Sequence, residues 1–137
     1  MVRSGFLRLT AALGLAIHLG FGVWHFFMPR RCGWYDQLAG MPAELTNAVG
    51  AANFFLAVTM LLLGLGVLGV IIWSWGNTRG VTFALGGMAL LWALRAGYQL
   101  LRPLGTAIPG LGVILLVVFC LTAACFAVPA ALVHRSL

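Results

Sequence analysis

The chain has 137 residues, 63% of them apolar and only 7% charged, with a formal net charge of +6. A soluble domain of this size cannot cover so much hydrocarbon with so few charges, which excludes a water-soluble globular protein and makes a lipid bilayer the expected solvent. All eight basic residues are arginines scattered along the chain, so the clustered cationic footprint of a nucleic-acid-binding protein is excluded too.

Crossing about 30 Å of hydrocarbon takes about 20 predominantly apolar residues, and four stretches qualify: Gly5 to Met28, Asn47 to Trp73, Val81 to Leu101 and Ile108 to Val133. Their hydrophobicity is continuous rather than alternating, and lipid leaves backbone amides no partner outside the segment, so helices are favoured over a barrel. The expected fold is all-α: a polytopic membrane four-helix bundle, one transmembrane domain over residues 1–137, with an interfacial loop at 29–46.

The first span follows Arg3, is interrupted by Arg8 and has no small-x-small cleavage site before Pro29, so it reads as a span rather than a secretory leader. His18 falls near its midpoint, and His25, seven residues on, lies about 10 Å toward the long loop, with Gly22 between them on nearly the same stripe. Pro29 is expected to break the helix. The loop carries Arg30, Arg31, Cys32, Trp34 and Tyr35, together with both acidic residues of the protein, Asp36 and Glu44. Trp34 and Tyr35 suit the boundary between hydrocarbon and headgroups, as do Trp73 and Trp75 at the end of the second span. Arg3, Arg30, Arg31, Arg79 and Arg135 read as anchors to phosphate headgroups.

The second span holds Asn53 in its long-loop half, and Gly64, Gly66 and Gly69 thin one side of it, as Gly86 and Gly87 do in the third span. Close helix contact is the expected reason. The third span places Arg95 about 6 Å past its centre toward the long loop, with Trp92 one turn before it and Tyr98, Gln99 and Arg102 after it. Cys120 and Cys125 lie within the fourth span, and with Cys32 they form no CxxC or disulfide framework. Thr59 and Thr122 are expected to bond their own helix backbones.

Ionisable groups inside a span are costly, so their depth is informative. His18, His25, Asn53, Trp92, Arg95, Tyr98 and Gln99 are therefore the ligand-pocket candidates, gathered in one leaflet under the loop of Arg30, Arg31, Trp34, Tyr35, Asp36 and Glu44. Arg95 either snorkels to a phosphate or pairs internally with the loop acids or a ligand. His18 needs a hydrogen-bond partner, which is either a ligand or a neighbouring helix.

Haem is disfavoured because both intramembrane histidines lie on one helix and His134 sits at the other surface. Copper is disfavoured because Pro29 is expected to divide the sole metal-ligand candidates, His25, Met28 and Cys32. A quinone or lipid fits better: His, Asn, Arg and Tyr can hydrogen-bond a polar head while Trp and Phe take an apolar tail. No catalytic residue is assigned, because no nucleophile with its base, carboxylate pair or phosphate loop is present. A small transporter, a third reading, lacks an intramembrane carboxylate for ion coupling.

With His18-Leu-Gly-Phe-Gly-Val-Trp-His25-Phe-Phe-Met-Pro in the first span and Asn47-Ala-Val-Gly-Ala-Ala-Asn53-Phe-Phe-Leu-Ala in the second, the chain resembles the small four-helix DoxX-like membrane proteins. The resemblance implies a helper subunit; a founding member of that family is tied to quinone-linked sulfur oxidation and others to envelope redox-stress assemblies. This chain lacks a compact cysteine redox pair, which argues against thiol chemistry. The expected function is an integral-membrane accessory or structural subunit of a larger membrane complex. A quinone- or cofactor-binding redox protein is the alternative. The expected setting is the bacterial cytoplasmic membrane, other membrane subunits are the expected partners, and the arginine balance slightly favours cytoplasmic termini.

Overall fold

A computed structural model of the protein describes residues 2–104 and 108–134, with side chains from residue 5 onward. The side chains of the expected anchors Arg3 and Arg135, and residues 105–107 of the last connection, lie outside the described residues. The elements are α1 (Val2–Arg31), α2 (Trp34–Gln37), α3 (Ala43–Trp73), α4 (Thr78–Leu101) and α5 (Leu111–His134). Every described element is a helix, and α1, α3, α4 and α5 are long and apolar enough to cross a membrane. The protein is an all-α integral membrane protein of the four-helix-bundle class.

Local sequence explains where these helices start and stop. Past the end of α1, Gly33 adopts φ 64°, a left-handed conformation that costs a residue with a Cβ about 1 kcal/mol or more, and α2 starts immediately after it. α3 begins at Ala43, four residues before the expected Asn47, because Pro42 presets the first turn and accepts from the amides of Leu45 and Thr46, while Glu44 complements the helix dipole. Asn77 caps α4, its side-chain oxygen accepting from the Gly80 amide at 3.1 Å. α5 starts at Leu111, not Ile108, after Gly110 turns the chain at φ 81°.

Pro29 does not break α1 as expected. The helix runs through it to Arg31, and the Cys32 amide still donates to Met28 O at 2.8 Å. His25 and Met28 therefore share one continuous helix, and Cys32 follows directly after it.

Two compact units make up the chain, Met1–Leu15 with Val67–Leu137, and Ala16–Gly66. In the first, α4 and α5 form an antiparallel hairpin, with Trp92 against Phe119 and Gln99 bonded to Gly112. One stripe of α4 is buried, through Leu85, Met88, Trp92, Ala96 and Gln99, as are Phe119 and Thr122 of α5, with Phe119 against Trp92. The start of α1 joins this unit where Gly14 comes so close to α5 that an added Cβ would stand 2.9 Å from Cys125 Cβ. Arg8 lies over the Trp75 ring at 5.1 Å, which ties α1 to the turn between α3 and α4.

In the second unit the later half of α1 runs antiparallel to the earlier half of α3, with contacts from His18 to Met60 and from Phe26 to Phe54. Gly22 and Gly64 are the close-approach positions. A Cβ on Gly22 would stand 3.0 Å from Leu61 Cδ2, and one on Gly64 2.6 Å from Leu19 Cδ2. Gly66, Gly86 and Gly87 have open space instead, and Gly69 faces the Trp73 ring of its own helix. The expected close-contact glycines thus reduce to Gly64, with Gly14 and Gly22 added.

Large apolar side chains such as Phe83, Leu101, Leu9 and Leu62 are exposed, whereas His18, Asn53, Gln99 and Thr122 are buried. This inside-out arrangement suits a chain whose outer solvent is hydrocarbon, where exposing leucine costs nothing and exposing an amide costs several kcal/mol, roughly.

Candidate functional site

The polar candidates divide between the two units: His18, His25 and Asn53 in one, Trp92, Arg95, Tyr98 and Gln99 in the other.

In the first group every described hydrogen bond ends on a backbone carbonyl. His18 is fully buried, and its Nε2 donates to Met60 O at 2.8 Å, which fixes the Nε2–H tautomer for that contact. Gly64 stands one turn beyond Met60, so a side chain there would flank the same carbonyl; its added Cβ would lie 3.0 Å from His18 Cδ2. The missing side chain is what admits the imidazole.

About two turns nearer the loop, Asn53 Nδ2 donates to His25 O at 2.6 Å. In an uninterrupted helix that carbonyl would accept from residue 29, but proline has no N–H. Asn53 therefore supplies from α3 the donor that Pro29 removes from α1. This is why the helix can continue to Arg31, since an orphaned carbonyl in lipid costs several kcal/mol, roughly. The His25 imidazole turns back on its own helix, Nδ1 donating to Phe21 O at 2.7 Å.

The loop residues fall beside this group without joining it. Trp34, Gln37, Leu38 and Val49 line a shallow groove, whereas Arg30, Arg31, Tyr35, Asp36 and Glu44 are exposed. Cys32 is exposed, and Gln37 Nε2 donates to Cys32 O at 3.1 Å. Among the described residues, no three His, Cys, Asp or Glu side chains are grouped to hold a metal ion.

In the other unit Gln99 closes the α4–α5 connection. Its Nε2 donates to Leu104 O at 3.0 Å and to Gly112 O at 3.2 Å, while its Oε1 accepts from the Leu104 amide at 3.2 Å. All of its described bonds are thus to backbone. We expect Gln99→Leu to lower stability by about 1–3 kcal/mol, since it leaves buried carbonyls unbonded. Hydrogen exchange should speed up at the Leu104 amide while leaving the Asn77-capped start of α4 unaffected.

The single polar edge expected on α4 splits into two. Trp92 and Gln99 are buried toward α5, with the Trp92 and Phe119 rings 5.5 Å apart. Arg95 is half-buried, its guanidinium 4.6 Å from the Phe119 ring and 5.9 Å from the Tyr98 ring. Tyr98 and Arg102 are exposed. On α5, Thr122 donates to Val118 O of its own helix at 2.7 Å.

The sequence reading missed the Pro29–Asn53 relation and the Gln99 clamp. A signal for the first was present, because a proline within an apolar span implies an orphaned carbonyl four residues earlier. Only the fold says which side chain reaches it. Comparison of the chain with family models, curated proteins and solved structures returns no match.

Proposed function

We propose that this protein is an accessory or structural subunit of a larger membrane assembly, with no catalytic site of its own. The observation that carries this reading is the use made of the intramembrane polar groups. His18, His25, Asn53, Gln99 and Thr122 all donate to backbone carbonyls of this same chain. Such bonds fasten helices and repair a proline gap; they do not assemble an acid, a base and a nucleophile around a substrate. The exposed apolar side chains of the four spans support the same reading, because they leave wide faces for larger neighbours. A DoxX-like helper role in a bacterial cytoplasmic membrane, with cytoplasmic termini, is part of the proposal.

Native mass spectrometry of the assembly extracted in mild detergent tests it. Larger membrane partners in fixed stoichiometry are the expected result. A lone monomer carrying quinone, copper or a Soret-absorbing haem, lost on His18→Ala, would replace this reading with the redox alternative.

A further inference from the structure

Beyond that role, we infer that the second half of α4 carries a binding site for an anionic phospholipid, formed by Arg95, Tyr98 and Arg102. Spaced at i, i+3 and i+7, these residues share one stripe, about 70° around the helix from the buried stripe of Leu85, Met88, Trp92 and Gln99. The stripe begins where Arg95 lies over Phe119 of α5 and runs out to the exposed Tyr98 and Arg102, so the last two turns carry a polar edge although they belong to a span.

The unit that carries that stripe contains no acidic side chain. Asp36 and Glu44 are the only acidic side chains of the protein, and both belong to the other unit, so residues 67–137 contain none. Aromatic faces are the described neighbours of the Arg95 guanidinium: Phe119 at 4.6 Å and Tyr98 at 5.9 Å. Rings stabilise a cation by about 0.5–2 kcal/mol, but they give its fork of N–H groups no oxygen to bond. An arginine within a span costs about 2.5–3.5 kcal/mol, so an anion paired with this half-buried guanidinium removes a real penalty.

Depth selects the ligand. Arg95 lies six residues before the end of α4, about 9 Å below it, whereas Arg102 caps that end and is exposed. A phosphodiester at the top of the hydrocarbon layer sits between the two, within reach of both flexible side chains and of the Tyr98 hydroxyl. Its acyl chains would lie along neighbouring exposed residues such as Leu91 and Leu94. A phosphatidylglycerol-type lipid therefore supplies both the charge and the apolar body that this stripe matches.

Native mass spectrometry and thermal unfolding of the full-length protein test the site, with phosphatidylglycerol, phosphatidylcholine or soluble glycerol 3-phosphate added. Phosphatidylglycerol should be retained at least tenfold better than phosphatidylcholine and should raise Tm, with glycerol 3-phosphate inactive. Arg95→Gln should abolish the preference, and Arg102→Gln and Tyr98→Phe, both at exposed positions, should each weaken it by about threefold. Arg79→Gln, at the opposite end of α4, should leave it intact. Equal retention of the two lipids, or full retention by Arg102→Gln and Tyr98→Phe together, overturns the site. Protection by glycerol 3-phosphate alone overturns the lipid as its occupant. Partner recovery is read separately, so failure here leaves the subunit proposal standing, and the reverse.

Discussion

Asn53→Leu is expected to lower stability by about 2 kcal/mol in wild-type background and by only about 0.5 kcal/mol in a Pro29→Ala background. The difference arises because one carbonyl has two alternative donors. With Pro29 present, His25 O depends on Asn53 Nδ2 at 2.6 Å, and losing it leaves an acceptor unbonded in a medium without water. In the Pro29→Ala variant, the helix regains its own i→i−4 bond and Asn53 becomes dispensable. Reversible unfolding of the four proteins of this cycle in mixed micelles yields the coupling directly. Equal costs in both backgrounds would show that Asn53 matters through packing alone. Asn53 Oδ1 is buried without a hydrogen-bond partner among the described residues, so leucine also relieves a small penalty, and the predicted loss is net of that relief.

Gly64→Ala and Gly66→Ala, two residues apart on one helix, are expected to act in opposite directions. The first should destabilise by about 1–3 kcal/mol, because its Cβ would stand 2.6 Å from Leu19 Cδ2 and 3.0 Å from His18 Cδ2. Leu19 can rotate away, but the imidazole is held to Met60 O and cannot retreat without lengthening that bond. The second meets nothing within 4 Å and should be neutral or stabilising by up to about 1 kcal/mol, the usual gain when a helical glycine becomes alanine. Adding His18→Ala should recover much of the Gly64→Ala loss, which separates the clash with the ring from a general effect on α3. The same sign for both alanines would refute the assignment of Gly64 as the opening for the imidazole.

Together these expectations describe how a chain so poor in polar groups uses them. His18 and Asn53 each cross from one helix to a carbonyl of the other, and neither contact is possible without a special residue beside it: an absent side chain at Gly64, an absent N–H at Pro29. Gln99 does the same for a loop, where Pro103 supplies no N–H and the Leu104 amide and carbonyl both turn to one side chain.

Much of this was open to reading along the chain, but unevenly. That His18 needs a partner follows from its depth; that the partner is Met60 O does not, because no pattern in the span around Met60 marks one carbonyl as accessible. Gly64, Gly66, Gly69, Gly86 and Gly87 look alike as sequence, yet of these only Gly64 meets a neighbouring helix. Trp92, Arg95, Tyr98 and Gln99 read as one edge because they lie within eight positions, and the packing of α5 divides them into a buried pair, a half-buried Arg95 over Phe119 and an exposed Tyr98.

Solvent, the number of spanning helices and their helical type follow from the order of residues alone, because crossing hydrocarbon depends on the length and apolarity of contiguous segments, and both are local quantities. Which face of each helix is inward, which glycine is a contact and which carbonyl receives each scarce donor depend on where a second helix stands. In lipid the apolar faces are nearly equivalent, so hydrophobicity cannot choose among them, and close packing and hydrogen bonding make the choice.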